Sequence, residues 1–220
     1  MNWFIRNSIF ILITTSMMLS SSSMAQEDDL FKLWPDTTLA KANSALHVNY
    51  LSETEKESIF YMNLLRINPP LFSETYFADY IKAKDVKKDK LVKELIKELE
   101  NTGKMEPLLP NKELSDFARA HAKDMGESGR TGHNSSSGKP FRDRIATLEQ
   151  HFTAINENCN YGNEDAVDAL IDLLIDRKVP NFGHRRKILD PEMKLVGVAL
   201  EPHKRWRHNY VQDFGIAKEK

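Results

Sequence analysis

Helical segments early in the chain and strongly apolar strands at its end predict an α+β fold, or a layered α/β/α sandwich. Two further observations support a single packed domain. Apolar residues make up 40% of the 220 residues, enough for a real core. Cys159 is the single cysteine, so an intramolecular disulfide is impossible and the core alone must hold the fold.

The first element is a leader. Arg6 is the only charge before Glu27, and an apolar run follows from Ile9 to Leu19. Ser23-Met24-Ala25 then gives a small-x-small cleavage pattern. This order of charge, apolar core and cleavage site is that of a secretory signal peptide over 1–25. The run is too short to span a membrane comfortably, which takes about 20 residues. Secreted or periplasmic localisation follows, with no transmembrane segment after cleavage. Removing Arg6 takes the net charge from −1 to −2, so there is no basic excess of the kind nucleic-acid binders show.

Residues 26–51 mix acids, Pro35 and small polar residues and read as an irregular lead-in; the domain proper is 52–220. Ser52-x-x-Glu55 is a capping box before a helix over about 53–66, with Ile59, Met62 and Leu65 as its apolar stripe. Asn68-Pro69-Pro70 stops it. Tyr76, Phe77 and Tyr80 fall in helical register over about 73–81. Residues 82–105 form a charged helical insertion, in which Leu91, Leu95 and Leu99 with Val92 and Ile96 give an i, i+4 stripe. Its lysines and glutamates predict a solvated outer helix.

Pro107 and Pro110 bracket a short extended piece. Asn111 can cap a helix over about 112–126 whose inner face carries Leu114, Phe117, Ala118, His121, Ala122 and Met125. Gly126, Gly129, Gly132 and Gly138 then punctuate a loop, and 141–145 starts a short helix. Residues 152–155 read as a strand leading into Glu157, and 163–176 as a helix. Leu195–Leu200 and Tyr210–Ile216 are apolar strands joined by a hairpin loop over 202–209.

Two stretches carry the chemistry. Gly132-His133-Asn134-Ser135-Ser136-Ser137-Gly138 is answered by Asn181-Phe182-Gly183-His184-Arg185-Arg186. Each places a histidine after a glycine in a loop-like context, where core burial is not the natural reading. Glu157 lies between them, flanked by Asn156 and Asn158. Imidazoles on loops near a carboxylate suit metal ligation or proton transfer. A carboxylate at Glu157 can ligate metal or accept from an imidazole N–H. His121, on an apolar helix face, reads as a core histidine. Ser135, Ser136 and Ser137 lack the strand–turn–helix setting of a nucleophile and read as turn polarity. Arg185 and Arg186 read as solvated or as a structural salt bridge, and Cys159 as a buried packing residue.

The run Leu114-x-x-Phe117-Ala118-x-x-His121-Ala122-x-Asp124-Met125, then Gly132-His133 and Phe141-x-x-Arg144-Ile145, resembles the CAP superfamily. That group holds the cysteine-rich secretory proteins, antigen 5 and the plant pathogenesis-related proteins, and is also called the SCP domain. Asn156-Glu157-Asn158 stands where the family has Gly-Glu-Asn. Gly183-His184-Arg185-Arg186-x-Ile188-Leu189 matches the bacterial branch, whose members lack the disulfides. Val196-Gly197-Val198-Ala199 and Gln212-Asp213-Phe214 match its last strands. The resemblance covers about 53–217. It implies an α/β/α sandwich around a small antiparallel sheet, and a cleft lined by two histidines and two acids that holds a divalent metal in some members.

On that resemblance His133, Glu157 and His184 match three cleft positions. Asp176, in Leu173-x-x-Asp176, resembles the fourth, with Asp172 one turn away as the alternative. A divalent metal such as zinc is the cofactor implied; no nucleotide or organic cofactor is expected. Three functional classes stay open: a secreted, non-enzymatic module binding a metal or a lipid-like, glycan or peptide ligand; a metal-dependent hydrolase of peptide, nucleic acid or cell-wall polymer; and an interaction protein with a vestigial cleft.

Overall fold

The computed structural model describes residues 30–177 and 179–219, so the leader expected over 1–25 lies outside the described residues. Helices α1 (Asp36–Ala42), α2 (Glu53–Ile67), α3 (Pro69–Phe72), α4 (Ala78–Ala83) and α5 (Lys90–Asn101) come first. Strand β1 (Leu109–Pro110), helix α6 (Lys112–Ser128) and the short α7 (Phe141–Arg144) follow. The chain continues through β2 (Phe152–Tyr161), α8 (Ala166–Ile175), α9 (Gly183–Ile188), β3 (Leu195–His203) and β4 (Arg207–Ala217).

The strand order is β1-β3-β4-β2. β4 runs antiparallel to both β2 and β3, while β1 adds a two-residue parallel edge to β3. Alternation along the strands builds the layers. Val196, Val198, Tyr210 and Phe214 face one way and join the main core with α2 and α8. Cys159, Ala199 and Val211 face the other way, against Ala118 and Ala122 of α6. The result is the α/β/α sandwich expected.

Helix α6 lies unusually close to the sheet. A Cβ on Gly197 would sit 2.1 Å from the Leu114 carbonyl carbon and 2.2 Å from the Ser115 amide nitrogen. Local signals performed as read. The Ser52 side chain accepts from the Glu55 amide and Glu55 returns the bond to the Ser52 amide at 2.8 Å. The Asn111 side chain caps α6 through the Leu114 amide at 3.0 Å, and Gly129 ends it in the left-handed region.

Several expectations need correction. Residues 26–51 are not wholly irregular: 36–42 is helical, and Trp34, Leu39, Ala42, Ala45 and Leu51 are buried in the core. Helix α5 is not merely an outer decoration, because Val92, Leu95 and Leu99 are fully buried. Strand β2 extends to Tyr161, so Glu157 sits inside the sheet rather than at a strand end. His184 stands in the first turn of α9, not in a loop. The 73–81 helix is interrupted by a π turn at Ser73–Phe77.

Candidate functional site

Glu157 lies on the α6 face of β2 and is 2% exposed. Burying a carboxylate demands partners, and it has them. His133 Nδ1 meets Oε1 at 2.9 Å, and Arg144 donates to Oε1 and Oε2 at 3.0 Å each. Arg144 also donates to the His133 carbonyl at 2.6 Å, fixing the loop that carries the imidazole. Burial alone raises the Glu157 pKa. The hydrogen bonds from His133 and Arg144, with the charges of His121 and Arg144, outweigh that and hold it below its ordinary value.

Asp176 forms the second pair. It ends α8 in the left-handed region, φ 58°, a conformation aspartate tolerates better than most residues. That turn aims its buried carboxylate at α9. Oδ1 meets His184 Nδ1 at 2.8 Å, and Oδ2 accepts the His184 and Arg185 amides at 2.9 and 3.3 Å. Burial lowers the His184 pKa; Asp176 partly offsets this, and Lys187 and His133 push it further down. His184 is therefore a neutral imidazole near pH 7. Asp172 does not reach it but accepts from Asn160 at 2.7 Å, so Asp176 is the acid beside His184.

β2 joins the two pairs. Asn158, next to Glu157, donates to the His184 carbonyl at 3.1 Å, and Lys187 of α9 donates to the Glu157 carbonyl at 2.8 Å. All four carboxylate oxygens of Glu157 and Asp176 already accept hydrogen bonds. Both imidazoles spend Nδ1 on a carboxylate, and neither Nε2 makes a hydrogen bond among the described residues. His133 is the more open, its side chain 42% exposed against 19% for His184.

His121 is a buried histidine, as read, yet it also serves the site. Its Nε2 donates to the Gly132 carbonyl at 2.9 Å, directly behind His133. His121, Glu157 and Cys159 form a compact buried group of metal-ligand types, their ligand atoms within 4.8 Å. Its chemistry does not fit a cation. Burial pushes the Cys159 thiol well up, the His121 nitrogen facing Glu157 is spent on Gly132, and Glu157 is held by Arg144. The serines close their loop: Ser135 pairs with Ser137 at 2.8 Å, and the Ser136 amide donates to Asp124 at 2.7 Å. Arg185 is buried, donating to the Leu174 and Ile175 carbonyls and to Glu98, whereas Arg186 is exposed.

Sequence reasoning missed Arg144, Lys187, Asn158 and Asp213 as site residues. For Asp213 a signal existed: an acid between Val211 and Phe214 in an apolar strand. On β4 it pairs in register with Glu157 of β2 and is fully buried, and neither oxygen has a hydrogen-bond partner among the described residues. Burial first, and the Glu157 charge second, raise its pKa well above the ordinary value, so Asp213 keeps its proton while Glu157 is ionised. A raised folded-state pKa gives stability that is complete below the unfolded value near 3.8 and is lost as pH rises towards the folded value. Asp213→Asn should therefore gain stability relative to wild type as pH rises from about 4 to about 8. Urea melts across that range check it; a difference independent of pH would contradict a protonated Asp213.

A family model described as the cysteine-rich secretory protein family, CAP, matches residues 61–214. No curated protein sequence matches. Among solved structures, an extracellular protein containing a SCP domain from Bacillus anthracis is 25% identical, TM-score 0.42, over 55% of this chain and 36% of its own length. This chain thus spans little more than a third of that protein. An outer surface protein from Borrelia burgdorferi is 21% identical, TM-score 0.43, over 60% of this chain and 97% of its own. Schistosoma mansoni venom allergen-like protein 4 is 13% identical, TM-score 0.45, over 77% of this chain and 92% of its own.

Proposed function

Because the chain belongs to the CAP family, whose model spans most of it, we propose that it is a non-enzymatic binding module acting outside the cytoplasm, with His133 and His184 as its divalent-metal ligands. One observation carries this reading. Each imidazole has Nδ1 anchored on a buried carboxylate, which places the proton there and leaves Nε2 as an oriented lone pair. Glu157 and Asp176 then act from behind the imidazoles, fixing their tautomer and orientation. A bound zinc would supply a Lewis-acidic centre with open positions for a carboxylate, glycan or peptide oxygen. Location outside the cytoplasm is supported by the leader pattern. Among the described residues, no helix is long and apolar enough to cross a membrane.

The hydrolase alternative has less support. Glu157, locked in an ion pair and acidified, is poorly suited as a general base near neutrality. The serines are engaged in their own loop, and Cys159 stays a thiol.

Titration calorimetry with zinc chloride tests the reading. Wild type should bind one zinc, with affinity falling in acid because protons compete with the metal for its ligands. His133→Ala or His184→Ala should each abolish uptake. His133→Ala should cost about 1–2 kcal/mol of stability, because the half-exposed ring packs little but its loss takes one hydrogen bond from the buried Glu157, which keeps Arg144. Zinc binding unchanged in either variant would refute the ligand assignment. Chelator-sensitive hydrolysis lost in both variants would favour the enzyme.

A further inference from the structure

We propose that the β3–β4 hairpin tip is a docking surface for an anionic phospholipid bilayer, independent of the histidine cleft. The tip reads Lys204-Arg205-Trp206-Arg207, and all four residues are exposed. Trp206 is 48% exposed, a large apolar ring held in water at the end of a turn. A tryptophan flanked by cations suits the bilayer interface, where the ring sits among headgroups and the cations meet their phosphates. Lys123 and Arg130, from α6 and the segment after it, add charge beside the tip, and both are exposed.

The turn is built to hold this shape. His203 is buried, and its Nδ1 accepts the Arg205 and Trp206 amides at 3.2 and 3.1 Å. Its Nε2 donates to the Arg130 carbonyl at 2.7 Å, and Tyr161 packs edge-on against its ring at 5.4 Å. A preorganised tip loses little freedom on docking. Behind it lies a cavity of about 530 Å³ lined by Lys123, Glu127, Glu201, His203, Lys204 and Arg207. Arg119 bridges Glu201 at 2.8 Å and the buried Glu55 at 3.0 Å, and Arg207 lies 4.0 Å from Glu164, so Lys123, Lys204 and Arg205 are the cations left to meet headgroup phosphates. The tip projects a single ring rather than lining a groove with several. That favours a flat, soft surface over a nucleic-acid strand, which is held in a groove with stacking platforms.

The test is partitioning of the purified protein onto vesicles of equimolar phosphatidylglycerol and phosphatidylcholine, compared with pure phosphatidylcholine. Wild type should bind the anionic vesicles at least about tenfold better, release at high salt, and show a blue shift in tryptophan emission. Trp34 is buried and Trp3 is common to every variant, so the part of the shift lost in Trp206→Ala reports the tip. Trp206→Ala should weaken binding several-fold. Lys204→Glu with Arg205→Glu should weaken it at least about tenfold, each basic residue near an anionic surface being worth roughly a factor of five. Lys90→Glu, on α5, should leave it unchanged. All variants share the same N-terminus, so its contribution cancels. Equal binding to both vesicle types, or tip variants that bind like wild type, would overturn the proposal. So would single-stranded DNA captured through the tip while anionic vesicles are not.

Discussion

Arg144→Met should cost about 3–5 kcal/mol of folding stability, because it leaves the buried Glu157 carboxylate without its main countercharge. The pair is enclosed, with the two side chains 8% and 1% exposed, and its guanidinium grips both carboxylate oxygens at 3.0 Å. The guanidinium carbon also sits 4.9 Å and 5.7 Å from the Phe117 and Phe141 ring centroids; methionine keeps the volume but loses these cation–π contacts with the ion pair, so the loss is chiefly electrostatic. In wild type the Glu157 pKa lies below the ordinary 4.5. Its stabilising contribution is therefore present above about pH 4.5 and disappears as pH falls through the folded value. In the variant burial prevails and Glu157 protonates readily, so the deficit against wild type should shrink in acid. Arg144→Met combined with Glu157→Gln should recover much of the loss, because a neutral amide does not need the guanidinium. Urea denaturation of wild type, the two single variants and the double variant gives the coupling directly. A single-variant loss under about 1 kcal/mol, as for an exposed pair, would mean Arg144 does not hold Glu157 as described.

The same residues show what was legible in the sequence. The capping box at Ser52, the Asn111 cap and the stripe on α6 are local patterns, and each formed where read. Glu157 was legible as a candidate beside a histidine but not as a strand-interior residue. β2 carries Asn156, Asn158 and Asn160, and that polar alternation resembles a strand giving way to a loop. Asn158 and Asn160 are buried with their amide nitrogens donating to distant partners, the His184 carbonyl, Gln212 and Asp172, while Asn158 Oδ1 has no partner among the described residues. Arg144 was visible only as a motif letter, since nothing in its neighbourhood says that its partner lies thirteen residues away. The burial of 36–42 was hidden for a related reason. Pro35 and a run of small residues give weak helical signals, and the helix is held by packing on α2. Long-range satisfaction of polar groups separates what a sequence shows from what the fold does with it.

Gly197→Ala should be among the most damaging single methyl additions at the described glycines. The new Cβ would lie 2.1 and 2.2 Å from the backbone of Leu114 and Ser115, far inside van der Waals contact. Backbone cannot rotate away as a side chain can, so α6 would have to lift off β3. That movement opens the contacts of Ala118 and Ala122 with Ala199 and Val211. It also shifts His121, which braces Gly132 behind His133. Gly197 pairs in register with Asp213, so the strain falls on the strand position already carrying an unpartnered acid. A loss of about 3 kcal/mol or more is expected, at the upper end for overpacking, together with weaker zinc uptake if the cleft holds the metal. Gly103→Ala is the control: its Cβ meets nothing within 4 Å, so its stability should be unchanged or slightly raised. Thermal melts of the two variants decide the point. If Gly197→Ala melts with wild type, α6 does not press on the sheet at this strand, and the close helix–sheet packing that places His121 behind the site is wrong.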